Sequence, residues 1–145
     1  LNIMSMDKLN PFHLAIPVDD LEEAKFFYHG LLGAKIGRSS DTWIDFNFFG
    51  HQLVCHLNSK STDEISNQVD FNEIPVPHFG IVFEWDQFQT IVLQFKQKKI
   101  DFIIKPTIRF KGEVGEQAIA FIRDPSGNAI EFKSFRNMDN LFKAD

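Results

Sequence analysis

The sequence predicts an α+β fold made of two similar halves, each reading as strand, helix, then several strands. Apolar runs rich in strand formers open the two halves, at residues 12–18 (FHLAIPV) and 77–85 (PHFGIVFEW). Each run is followed by an acidic residue suited to capping a helix, and then by apolar side chains at helical spacing. Each half closes on two strand-like runs separated by a turn glycine, Gly50 in the first and Gly127 in the second. Duplication explains the pattern economically, because one such half leaves a sheet face bare until a second covers it.

In the first half, Asp19 or Asp20 caps a helix carried by Leu21, Ala24, Phe27, Tyr28 and Leu31, and Gly33 ends it. Strands are expected at residues 42–49 (TWIDFNFF) and 51–57 (HQLVCHL). Residues 58–72 are polar and poor in aromatics, and read as a linker. In the second half Asp86 is the expected cap, with Phe88, Ile91, Val92 and Phe95 forming the apolar helix face. Short strands are expected at residues 101–104 and 107–110. Longer ones follow at 117–123 (QAIAFIR) and 129–135 (AIEFKSF), joined by the tight turn Asp124-Pro125-Ser126-Gly127-Asn128. Residues 136–145 read as a polar tail that frays.

The chain has 145 residues, 43% of them hydrophobic and 17 of them phenylalanine, which suits one domain over residues 1–145 with a substantial core. Its two modules are placed at about 10–60 and about 75–136. With 20 acidic against 15 basic side chains, the net charge of -5 argues against a nucleic-acid binder, which needs a basic face to meet phosphates. Cys55 has no cysteine to pair with in the chain, so a reducing setting is expected. No apolar run approaches the ~20 residues that cross a bilayer, and residues 1–10 lack the basic-then-apolar layout of a signal peptide. The expectation is a soluble, cytoplasmic protein without nucleic-acid or membrane partners.

The repeat locates chemistry. His13 and His78 open equivalent strands, each a few residues before an acidic residue and a helix. Superposing the turn glycines sets Leu53 against Ile130 and Val54 against Glu131. Glu131 sits among Ala129, Ile130, Phe132 and Phe135, where an isolated carboxylate is costly unless it is paired or bound to a metal. A cavity lined by both sheets would join His13, His78 and Glu131, two imidazoles and one carboxylate, the set that leaves open positions on a divalent transition metal. Gln52 and His56 share the Val54 face by strand alternation. Arg109 and Arg123 suit either a substrate carboxylate or a surface acid. Gln117 suits either the cavity or a backbone group. His29 falls at a helix end with no catalytic role, and His51 and Cys55 lie on the face opposite Val54, with Cys55 a small core residue.

These residues resemble the vicinal oxygen chelate superfamily, which includes glyoxalase I, extradiol dioxygenases, fosfomycin-resistance transferases and bleomycin-resistance proteins. The resemblance is carried by His13 in FHLAIPVDDLEEAKFFYHGLLG, by Phe27, Tyr28, Leu31, Leu32 and Gly33 at the end of that helix, by His78 in PHFGIVF, and by RDPSGNAIEF from Arg123 to Phe132. It implies two βαβββ modules whose curved mixed sheets form a cleft around a divalent metal held by His13, His78 and Glu131. Iron, manganese, zinc and nickel all fit that set, and no organic cofactor is implied. A small oxygen-rich substrate and a homodimer are the implied partners. The implied function is a metal-dependent dioxygenase, lyase or transferase; the alternative is a non-catalytic ligand-binding protein of the bleomycin-resistance type. One departure stands out. Members such as glyoxalase I place a further ligand on the last strand of the first module, where this chain has Val54, which can neither bind metal nor move a proton. Only a shifted register would offer Gln52 or His56 instead. With Arg109, these are the weaker catalytic candidates.

Overall fold

The computed structural model describes residues 9–58, 65–69 and 72–144. Residues 1–10, read above for a signal sequence, lie mostly outside that range. The chain divides into two compact units, Leu1–Lys60 and Ser61–Asp145. No helix among the described residues is long and apolar enough to cross a membrane.

The first unit runs β1 (His13–Val18), α1 (Leu21–Lys25), a π-helical turn (Phe26–Leu31), β2 (Lys35–Ser39), β3 (Trp43–Phe48) and β4 (His51–Leu57). Asp20 caps α1, its Oδ1 accepting the Glu23 amide at 3.0 Å. Gly33, at φ 77°, turns the chain out of the helix. The sheet order is β1-β4-β3-β2, with β1 parallel to β4 and the other neighbours antiparallel. Ile16, Ile44, Phe46, Leu53 and Cys55 are buried on one sheet face. There Tyr28 packs its ring 5.4 Å from that of Phe46.

The second unit runs β5 (Ile65–Val69), β6 (Asn72–Val76), β7 (His78–Phe83), α2 (Trp85–Gln97), β8 (Ile104–Arg109), β9 (Gln117–Arg123) and β10 (Ala129–Phe135). Its four-stranded sheet has the order β7-β10-β9-β8, with β7 parallel to β10, so the topology of the first unit is repeated. Each unit is therefore a βαβββ module with a mixed sheet. On the helix side, Phe95 of α2 meets Phe132 of β10 with ring centroids 5.1 Å apart. On the other side, Ile74 of β6 joins Ile104, Ile119 and Phe121 in a buried cluster.

Several expectations need correction. The polar stretch read as a linker contains β5, paired antiparallel with β6 in a separate two-stranded sheet; its residues 59–64 and 70–71 lie outside the described range. Glu84, not Asp86, caps α2: its side chain accepts from the third helical residue, while Gln87 accepts the Glu84 amide at 3.0 Å. The two short strands expected near residues 101–110 are one strand with an irregularity between Ile104 and Thr107. The tail is anchored. The Arg136 amide donates to Glu116 O at 2.9 Å, its guanidinium lies 4.8 Å from the Trp85 ring centre, and Asn140 donates to Val114 O at 2.6 Å.

Candidate functional site

Strand pairing sets the positions of the site residues. In the second unit the parallel register places His78 beside Ala129 and Gly80 beside Glu131, so His78 and Glu131 are diagonal neighbours on one face. Gly80 has no side chain, and the Glu131 backbone carbonyl takes up the place where its β-carbon would lie. The Glu131 carboxylate lies 3.0 Å from His78 Nε2 through Oε2 and 3.3 Å from Lys133 Nζ through Oε1. It is 8% exposed, and Phe121, directly opposite on β9, meets the His78 ring edge to face at 5.0 Å. The other imidazole nitrogen of His78 is committed: Nδ1–H donates to Pro75 O at 2.7 Å. A carbonyl only accepts, so the neutral ring carries its lone pair on Nε2, facing a carboxylate.

Two acceptors face to face at 3.0 Å require a cation between them or a proton on one of them. A divalent ion meets that need with the donors present, and the pair fits half of a histidine–carboxylate metal site. Among the described residues no group of three His, Cys, Asp or Glu side chains is gathered ready to hold a metal.

Without metal the need is met by a proton. The hydrogen bond to Glu131 above all raises the His78 pKa above its ordinary 6.5, helped by the Pro75 carbonyl and the Glu131 charge, and opposed by partial burial and Lys133. A raised folded-state value means that the stabilisation is fully present below pH 6.5 and is lost as pH rises through the higher folded value. The gap in melting temperature between metal-free wild type and His78→Ala should therefore narrow from acidic to alkaline pH. A gap that is flat or widens with pH would contradict the ion pair.

The first unit carries its own polar face. His13 pairs with Gln52 in the β1–β4 register, and Ala15 pairs with Val54. This is the register of the second unit, so Val54 occupies the place that Glu131 holds there. His13 Nδ1 lies 2.7 Å from Gln52 Oε1, and Gln52 Nε2 donates to Asp45 Oδ2 at 3.3 Å. Asp45, on β3 directly opposite Val54, is only 8% exposed. His56 lies four residues beyond Gln52 on β4, paired with Pro17 and Trp43 and exposed, about 13 Å away along the strand. His51 accepts the Phe12 amide at Nδ1 (2.8 Å) and so fixes the entry to β1.

The remaining candidates separate into roles. Arg109 and Gln117 pair across β8 and β9, about 13 Å along β9 from Phe121. Gln117 Nε2 donates to Gly115 O at 3.3 Å, while its buried Oε1 has no hydrogen-bond partner among the described residues. The Arg109 guanidinium lies 4.9 Å from the Phe110 ring centre. Arg123 donates to Gly127 O at 2.9 Å and supports the turn, and His29 donates from Nδ1 to Ala34 O at 2.8 Å. Within the turn, buried Asp124 accepts the Ser126 and Asn128 amides through Oδ1, both at 2.9 Å, and so fixes the hairpin that presents Glu131. A pocket of about 540 Å³ in the first unit is lined by Asp20, Glu22, Lys25, Ile36, Ile44 and Leu57, and contains none of the predicted site residues.

Asp45 and Lys133 are absent from the sequence-based candidates. Alternation alone puts Lys133 on the Glu131 face. Asp45 gains meaning only once β3 and β4 are in register.

Two βαβββ modules, each opened by a histidine on the edge of a mixed sheet, define the class of this protein. The chain belongs to the Glyoxalase/Bleomycin resistance protein/Dioxygenase superfamily, whose profile matches residues 10–132. It is 37% identical to a glyoxalase/bleomycin resistance protein/dioxygenase from Alicyclobacillus acidocaldarius, with a TM-score of 0.81 over 94% of this chain and 100% of the other. A lactoylglutathione lyase from Agrobacterium tumefaciens shares the fold at 17% identity, with a TM-score of 0.64 over 96% of this chain and 100% of that one. A fosfomycin resistance protein from Listeria monocytogenes shares it at 14% identity, also with a TM-score of 0.64, over 94% and 100%. No curated protein matches the chain significantly. The superfamily thus includes enzymes such as lactoylglutathione lyase.

Proposed function

We propose that this protein is a metal-dependent enzyme acting on a small substrate with adjacent oxygen atoms, its metal held by His78, Glu131 and His13. The observation that carries the reading is the His78–Glu131 pair: an imidazole whose Nδ1–H is engaged presents Nε2 to a carboxylate 3.0 Å away. His13 is assigned as the third ligand because it holds the strand position that His78 holds in the second unit. When bound, a divalent ion on two imidazoles and a carboxylate supplies Lewis acidity, with coordination positions open to substrate oxygens.

The chain's own residues account for the rest. Lys133 neutralises Glu131 and adds positive charge beside the site, which favours an anionic substrate. Gln117 and Arg109 lie about 13 Å along β9 from Phe121, beyond the reach of a small substrate held beside Glu131. Val54 offers no proton-transfer group at the place of Glu131, so chemistry that needs a base on that strand is disfavoured.

The test is metal analysis of protein purified without a chelating tag, followed by assays for oxygen uptake with catechols, thiol addition to epoxides and hemithioacetal turnover. Roughly one divalent ion per chain and turnover in one assay are expected. Failure to bind manganese, iron, zinc or nickel would favour the metal-free ligand-binding alternative.

A further inference from the structure

We propose that Asp45 is a positioning residue which, acting through Gln52, fixes His13 in the tautomer whose free lone pair is on Nε2. The consequence for metal affinity rests on the metal-site reading above; the relay itself does not.

The inference follows from what each group can donate. An ionised carboxylate only accepts hydrogen bonds, so Gln52 must turn its amide NH2 toward Asp45, as the 3.3 Å contact from Nε2 to Oδ2 has it. That orientation leaves the amide oxygen for His13, and Oε1 lies 2.7 Å from Nδ1. An amide oxygen only accepts, so Nδ1 must carry the hydrogen and Nε2 the lone pair. Without Asp45 the amide has no such preference, since its two ends serve either tautomer equally well. The result matches the second unit, where Pro75 O binds Nδ1–H of the repeat-equivalent His78. Two different acceptors therefore leave the same nitrogen free on both histidines. Groups of this kind orient metal-binding imidazoles and set which nitrogen is available.

Comparison of the repeats argues against a merely tolerated polar residue. In the second unit the strand pair carries Phe121 on β9 opposite Glu131 on β10; in the first it carries Asp45 on β3 opposite Val54 on β4. The carboxylate has moved over by one strand, to where it reaches Gln52. Burying it at 8% exposure is costly unless its hydrogen bonds are used. Neighbouring β2 leaves room for it, since a β-carbon on Gly37 would lie 3.2 Å from Asp45 Cβ.

The test is the tautomer of His13 in the metal-free full chain, read from long-range nitrogen–proton spectra of 15N-histidine-labelled protein at about pH 8.5, where imidazoles are largely neutral. Wild type is expected to carry the hydrogen on Nδ1. Asp45→Asn, which keeps the shape but can donate, should shift His13 toward the Nε2–H form. The double variant Asp45→Asn/Gln52→Glu should restore the Nδ1–H form, because a carboxylate at position 52 accepts from Nδ1 whatever stands at 45. Mn(II) affinity should fall about 10–100-fold in Asp45→Asn. An Nε2–H tautomer in wild type, or one unchanged in Asp45→Asn, would overturn the proposal. A tautomer that follows Asp45 in a protein that binds no Mn(II) would uphold the relay and count against the metal reading alone.

Discussion

Gly80→Ala is expected to lower the melting temperature by roughly 10 °C, the equivalent of at least about 3 kcal/mol in a domain of this size. Gly80 faces Glu131 across the parallel β7–β10 pair, and a β-carbon there would fall inside the contact distance of the Glu131 backbone carbonyl. Backbone cannot swing aside as a flexible side chain would, so either the strands separate or β10 shifts. Both outcomes move Glu131 away from His78, and metal binding should fall along with stability. Thermal unfolding followed by circular dichroism checks the first effect. A melting temperature within about 2 °C of wild type would show that the pair relaxes easily and that the close approach of β7 to β10 does not depend on Gly80.

Glu131→Gln should abolish measurable binding of divalent metal, a larger loss than the roughly 10–100-fold expected when an outer partner of a ligand is removed. The amide keeps the volume but loses the charge, and Lys133 is then left beside a neutral group, adding repulsion toward a cation. The substitution also removes the main cause of the raised His78 pKa, so the pH-dependent part of the metal-free stability should go with it. Calorimetric titration with Mn(II) or Zn(II) gives the affinity. Wild-type affinity in this variant would remove Glu131 from the ligand set.

The sequence made the duplicated architecture legible because strand-forming runs and turn residues are local signals. β4, β9 and β10 fall where their runs predict, at His51–Leu57, Gln117–Arg123 and Ala129–Phe135. β2 was not legible: Lys35–Ser39 contains one strong strand former, a glycine and two charges, as befits an edge strand whose polarity discourages further pairing. β5 was hidden in the same way by Ser66, Asn67 and Gln68. Glu84 was missed as a cap because the preceding residues look like strand and glutamate caps helices less often than aspartate.

Glu131 stood out as a charge inside an apolar strand, and His13 and His78 stood out through the repeat. Their hydrogen-bond partners did not. Pro75 O belongs to the backbone and leaves no trace in side-chain pattern, while Asp45 reads as one acid among aromatics until strand register sets it against Val54 and within reach of Gln52. Alternation gives the face a side chain takes on its own strand; which residue of a neighbouring strand it meets depends on register.

An anomalous difference map from crystals of the Mn(II)-loaded protein tests the central claim most directly. It should show one strong peak about 2.2 Å from Nε2 of His13, Nε2 of His78 and a carboxylate oxygen of Glu131. A peak elsewhere, or one that leaves His13 outside the coordination sphere, would contradict the assignment.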